Sequence, residues 1–285
     1  MPLLIALSCV AVLIGTACLG VGISRIRDAG AIVYSLSLLA SLVGLGAALV
    51  HLMDGVAMAP TVTLPLGLPW LGANFRLDML SAFFLVVVNL GSAAACLFAI
   101  GYGRHEVAPE RVLPFYPAFL AGMNLVVLAD DAFSFLVSWE FMSLSSWALV
   151  MAHHRIADNV RAGYLYLIMA SFGTITLLLT FGLLAGPDGG YAFDDIRAAH
   201  PSTTLAASVL ILALIGAGSK AGLVPLHVWL PLAHPAAPSH VSALMSGVMT
   251  KVAVYGLVRI VFDLIGTPAW WWSMVVLARS VVSRR

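Results

Sequence analysis

The chain has 285 residues, 61% of them hydrophobic and only 9% charged, with a formal net charge of +1. Its mean hydropathy is +1.03. Too few charges are present to cover a soluble domain of this size, and 14 Lys and Arg without a basic tract exclude nucleic acid as a partner. A membrane span takes about 20 apolar residues, so there is room for about eight or nine, in contact with the lipid bilayer.

In chain order, the hydropathy predicts helices over 3–22 and 31–53, with Arg25, Arg27 and Asp28 between them. The first run lacks a basic leader and is long enough to span, so it reads as a retained helix rather than a signal peptide. Residues 54–76 are rich in Pro and Gly and predict a loop. Asp78 opens a helix over 78–101, and further helices are expected over 113–129, 132–152 and 162–185. The pairs Asp130/Asp131 and His153/His154 read as solvated helix ends at the two membrane surfaces. A seventh helix over 204–231 is expected to break near Pro225 and Pro231, because proline removes a backbone donor and crowds the preceding turn. An eighth follows over 238–263. The expected architecture is an all-α polytopic transmembrane helix bundle, one membrane domain over 1–285.

The ninth run, WWWSMVVLARSVVSRR over 270–285, begins like a membrane helix and loses its apolar pattern after Ala278. The expectation is a truncated ninth helix, left by a frameshift, a fragment end or a split subunit. Orientation follows the arginines of short loops. With the N-terminus outside, Arg25, Arg27, Arg104, Arg111, Arg155 and Arg161 are cytoplasmic, against Arg76 and Arg197 outside.

Ionisable groups at membrane depth persist mainly where they carry ions, protons or substrate. Glu140 lies nine positions past Asp131, near the middle of its helix. Lys220 follows the small residues Gly216, Ala217, Gly218 and Ser219, which permit close helix approach. The two are expected to pair, as a static staple or as a proton carrier. Burial disfavours both charges and pairing favours them, so breaking the pair changes the lysine's hold on its proton. Lys251 shares a helix face with Ala243, Gly247 and Tyr255, and the apolar helix continues beyond it, so it reads as buried rather than as a snorkelling helix end. His227, His234 and His240 lie in or beside the broken region as accessory candidates, although a lone loop histidine is often simply solvated. Their spacing is not that of a metal site. The cysteines Cys9, Cys18 and Cys96 sit in apolar runs without metal-ligand spacing, and no cofactor motif is visible.

The stretch KAGLVPLHVWLPLAHPAAPSHVSALMSGVMTKVAVYGLVR, with LDMLSAFFLVVVNLGS at 77–92 and WEFMSLSSWALV at 139–150, resembles the proton-conducting, antiporter-like membrane subunits of the complex I superfamily. These occur in NADH:quinone oxidoreductase, formate hydrogenlyase-type hydrogenases and Mrp antiporters. The resemblance is strongest to the hydrogenase branch, hydrogenase-4 component B and its relatives. It implies that Glu140, Lys220 and Lys251 are the relay, that 1–101 holds the first three helices, and that 113–263 holds the first five-helix repeat. It further implies a non-catalytic membrane subunit of an oxidoreductase complex in the bacterial inner (plasma) membrane. Other membrane subunits, and through them a hydrogenase or quinone-reducing module, would be the partners. A Mrp-type cation/proton antiporter subunit and an inactive truncated fragment are the alternative readings. Family members continue into a second repeat, which this chain does not contain.

Overall fold

Apolar runs of this length satisfy their own backbone in lipid only as helices, and helices are what the computed structural model shows. It describes residues 1–26, 28–55, 59–106, 108–187, 189–199 and 201–266. The expected ninth helix over 270–285 lies outside them.

The elements run α1 (Pro2–Ile23), α2 (Ala29–Asp54), β1 (Thr61–Leu68), β2 (Gly72–Arg76), α3 (Met79–Tyr102), α4 (Pro109–Val112), α5 (Phe115–Leu128), α6 (Ala132–Val150), α7 (Ala157–Ala185), α8 (Phe193–Ala198), α9 (Thr203–Ala221), α10 (Leu230–Ala236), α11 (Ser239–Leu244) and α12 (Thr250–Val258). Among the described residues, eight helical segments are long and apolar enough to span; α4 with α5, α9 with α10, and α11 with α12 each make one of them. The chain is a multi-pass helical membrane bundle.

Two corrections follow. The loop expected over 54–76 contains a hairpin in which β1 pairs antiparallel with β2, Thr61 opposite Arg76 and Leu64 opposite Ala73. The register shifts between Leu64 and Leu68, around Pro65, which has no amide hydrogen to donate. Gly72 sits at φ 70, a conformation that favours glycine. α7 begins at Ala157 rather than 162, one turn earlier than its apolar pattern, with Asp158 in the first turn where the helix dipole favours a negative charge.

Packing is set by small residues and a few buried polar bonds. α5 crosses α6 at Gly122, where an added Cβ would sit 2.8 Å from the Met142 Cα. Asn89 on α3 donates to Asn124 on α5 across the interior at 2.8 Å. A Cβ at Gly44 of α2 would press on that same Asn89 side chain at 2.9 Å. An interhelical amide bond away from water is a directional tie, and small residues bring the backbones within its reach.

The hairpin side of the bundle is tied by backbone. Asp130 N donates to Asn74 O at 2.8 Å and Phe193 N donates to Asp130 O at 3.1 Å. The hairpin and the ends of α5 and α7 therefore lie on one face. The α1–α2 turn, the end of α3 and α4 lie on the other.

Candidate functional site

The site forms where α6, α7 and the broken seventh span meet. Asp131 caps α6: its carboxylate accepts from Ser134 N at 2.7 Å and from Asn74 N at 2.8 Å. That start places Glu140 mid-helix and Ser143 one turn further, facing α7 and α9.

α9 stops at Ala221. Gly222 adopts φ 77, and Leu223 N returns to Gly218 O at 2.9 Å, a left-handed helix cap. Gly222–Pro225 is non-helical, and a short 3-10 turn, Leu226–Trp229, leads into α10. Trp229 Nε1 donates back to Ser219 O at 2.8 Å, fastening this turn to the helix end. Pro225 precedes the 3-10 turn, whereas Pro231 lies in the first turn of α10 and initiates a helix instead of breaking one.

Lys220 is in the last turn of α9 and 2% exposed. α9 approaches α7 closely enough that a Cβ on Gly173 would meet Gly216 O at 3.0 Å. That approach lets Lys220 Nζ donate to Tyr166 OH at 2.6 Å and to Ser143 Oγ at 2.9 Å. The ammonium also lies 4.6 Å from the centroid of the Tyr166 ring. A helix C-terminus carries roughly half a negative charge, which favours a cation placed there.

The expected direct pairing of Glu140 with Lys220 is not present. Glu140 instead accepts from Thr174 Oγ1 of α7 at 2.6 Å. It remains close enough for a Coulombic interaction with Lys220. The physical reason is local: the hydroxyls of Ser143 and Tyr166 reach the ammonium first. Each keeps a second partner, Ser143 on Trp139 O at 2.8 Å and Tyr166 on Ser146 Oγ at 2.6 Å. The result is a polar chain, Ser143–Lys220–Tyr166–Ser146, beside one half-buried carboxyl group.

The other candidates separate. Lys251, expected to be buried, is exposed on α12 and donates to Thr250 Oγ1 at 3.3 Å. Helical periodicity placed it on a face but could not say what covers that face. His227 is half-buried, with its Nδ1 lacking a hydrogen-bond partner. His234, also half-buried, bonds Ser242 Oγ at 2.6 Å. His240 is not a solvated loop residue: it is 1% exposed and contacts the Tyr34 hydroxyl at 3.2 Å. Among the described residues, no group of three His, Cys, Asp or Glu converges on a position for a metal ion.

A second polar centre was missed from sequence. Asp130 and Asp131, read as solvated, are 8% and 0% exposed. Asp130 lies 3.7 Å from both Arg76 and Arg197, and Arg197 in turn pairs with Asp263 at 2.8 Å. Buried Arg259 bonds Asp78 at 2.5 and 2.8 Å, Asp263 at 2.8 Å and the Tyr255 hydroxyl at 3.0 Å. Burial pushes the Asp130 carboxyl up to about 6 against the pull of Arg76 and Arg197. At Asp78 burial works in the same direction, but the Arg259 guanidinium outweighs it and holds the carboxyl at about 2. The local signals were the Arg259–Asp263 spacing of four and the Asp194–Arg197 spacing of three, each on one helical stretch.

The family model "NADH:quinone oxidoreductase/Mrp antiporter, TM" matches residues 129–284, which is more than half of the chain and includes Glu140, Lys220 and Lys251. The chain belongs to this family. Hydrogenase-4 component B of Escherichia coli is 37% identical over 252 residues, covering 87% of this chain and 37% of that protein. Thus the chain spans little more than a third of that relative's length. Two solved assemblies share the fold. A chain of an archaeal membrane-bound sulfane sulfur reductase matches with TM-score 0.75 at 19% identity, over 94% of this chain and 56% of its own. A chain of the Mrp complex of a Dietzia species matches with TM-score 0.77 at 24% identity, over 96% and 30% respectively.

Proposed function

We propose that the chain forms the Glu140–Lys220 part of a proton-translocating membrane subunit in a redox-driven complex of the hydrogenase/formate hydrogenlyase or NADH:quinone oxidoreductase type. The observation that carries this is Lys220, a buried lysine at a broken helix end, held by hydroxyls rather than by a carboxylate. A fixed ion pair would hold its proton; hydroxyls accept from an ammonium and donate to an amine equally well. Proton occupancy of Lys220 then responds to the charge on Glu140. A change of about 1.4 kcal/mol in that interaction moves the occupancy tenfold.

On this reading Lys251 is the next carrier, on a face that other helices of the assembly cover. Residues 1–101 act as three flanking helices and 113–263 as the five-helix unit that carries the relay. The bias of six arginines against two supports an N-terminus outside the bacterial inner membrane, with the hairpin on the outer side. Further membrane subunits, and through them a hydrogenase or quinone-reducing module, supply the energy. The fold shared with the Mrp chain keeps a cation/proton antiporter subunit as the second reading.

The test is proton movement by the assembled complex in liposomes with an entrapped pH dye. Redox-driven acidification that is lost in Glu140→Gln and in Lys220→Met supports the proposal. Sodium-dependent exchange without redox turnover would support the antiporter reading. Wild-type pumping in both variants would end both.

A further inference from the structure

A second set of buried titratable groups lies away from Glu140 and Lys220, on the face opposite the hairpin. A polar cavity of about 410 Å³ opens there, lined by Ser24, Asp28, Gly30, Arg104 and Glu106 among others. The Glu106 side chain is 5% exposed and its Oε1 bonds His153 Nε2 at 2.8 Å, while His153 is 29% exposed. Glu106 therefore sits at the boundary between the aqueous face and the core. It lies close enough to act electrostatically on both Tyr34 and His240.

Tyr34 and His240 are each 1% exposed and in contact through the Tyr34 hydroxyl and His240 Nε2. They are enclosed by aromatic rings: Tyr116 lies 5.2 Å from Tyr34 and 5.1 Å from His240, and Tyr102 lies 6.1 Å from His240. Cys96 contacts the Tyr116 hydroxyl at 3.3 Å. The His240 Nδ1 is buried without a protein partner, which costs about 1–3 kcal/mol in a static core and calls for an explanation. His240 also lines a groove of about 640 Å³ between α3 and α11, together with Gly91, Ala95, Ala243 and Gly247. The helix turns once from Gly247 to Lys251, through a π-helical stretch at Met245–Met249 of the kind often found at functional sites.

We propose that His153, Glu106, Tyr34 and His240 form a proton-entry branch that serves Lys251 and is separate from the Glu140–Lys220 pair. The inference rests on the proton-translocation reading above. A proton held between His153 and Glu106 passes to the Tyr34 oxygen as Tyr34 gives its own proton to His240 Nε2. Tyrosine thus carries no net charge through the step. The imidazolium releases its Nδ1 proton on the side of α11 that leads to Lys251, and a flip of the ring carries the one remaining proton away from the Tyr34 side, which restores a free nitrogen facing Tyr34. Tyr34 and His240 do the carrying; Tyr116 and Tyr102 only hold the rings.

The experiment compares pumping by the assembled complex carrying Tyr34→Phe, Glu106→Gln, His240→Ala, Tyr102→Phe or Lys220→Met. Tyr34→Phe keeps the ring and removes only the hydroxyl. The branch predicts at least a tenfold fall in pumping for Tyr34→Phe, Glu106→Gln and His240→Ala, with assembly and melting temperature kept. Tyr102→Phe should stay within twofold of wild type. Added imidazole should restore His240→Ala at least threefold, a rescue that lost packing alone would not give. If Lys220→Met is inactive while Tyr34→Phe and His240→Ala pump within twofold of wild type, the branch is wrong and the proposed function stands. If every variant, Lys220→Met included, pumps like wild type, the function falls and the branch with it.

Discussion

Replacing Lys220 by Met separates a proton carrier from a structural tie, because the first role predicts little change in stability and the second a large loss. The ammonium makes two charge-assisted bonds, to Tyr166 and Ser143, each worth about 1.5–3 kcal/mol. Against that loss, removing a buried charge recovers a desolvation penalty of roughly several kcal/mol. No orphan results, since Ser143 keeps Trp139 O and Tyr166 keeps Ser146 Oγ. Met fills nearly the same volume, so the cavity term is small. The expected net change is within about 2 kcal/mol of zero, or a melting shift within about 8 °C at roughly 2–4 °C per kcal/mol. Thermal unfolding of the purified protein in detergent, followed by tryptophan fluorescence, measures this. Proton uptake by the complex in liposomes is expected to vanish in the same variant. A melting temperature more than about 10 °C below wild type, roughly 3 kcal/mol or more, would make Lys220 a structural residue and refute the carrier argument.

Arg259→Met is expected to behave differently: it leaves Asp78 without its cation, although Asp263 keeps Arg197 and the Tyr255 hydroxyl keeps Val127 O, and should cost about 3–5 kcal/mol in the same unfolding assay. Asp130 gives a pH signature. Its folded-state value of about 6 lies above the ordinary 3.8, so the folded protein binds that proton more tightly and loses stability as pH rises from about 4 to 6. Asp130→Asn should remove that decline; a wild-type profile unchanged by the substitution would count against it. Asp78, held at about 2, has the reverse sign: its stabilisation is present above about 4 and fades as pH falls toward 2. Asp78→Asn should therefore flatten only the acid limb of the unfolding curve. Gly122→Leu drives a side chain onto the Met142 backbone, and a loss of about 1–3 kcal/mol or more is expected from overpacking.

Much of the fold was legible because membrane spans are written in hydropathy, and lipid leaves their backbone no option except helix. The break after Lys220 was legible for a similar reason, a glycine and a proline within five residues. The hairpin was not, because Pro65 and Gly67 speak locally for a loop, whereas β2 is pinned by Asp130 and Asp131, more than fifty residues downstream. Periodicity assigned Lys251 to a face without revealing that the face is open. His240 looked like an ordinary loop histidine because its partner Tyr34 is 206 positions away. The arginine–aspartate network was invisible for the same cause: its members come from the hairpin, α8, the cap of α3, the start of α6 and the end of α12. Pairings of that range follow from the packing of helices, not from any local pattern.

The hydroxyl-mediated arrangement at Lys220 also bears on how charge could be passed without dismantling the bundle. In a direct Glu–Lys pair, neutralising either partner strands the other as a buried charge, at a cost of about 3–5 kcal/mol. Here the cation rests on a helix end, an aromatic face and two hydroxyls, all of them dipoles that tolerate the neutral amine. Glu140 rests on Thr174, a donor that serves a carboxylate and can accept from a carboxylic acid. Each group therefore keeps a satisfied partner in both of its protonation states. The two are then linked only by their Coulombic interaction, which shifts proton occupancy without a hydrogen bond having to break first. A site built to staple helices would gain nothing from that separation.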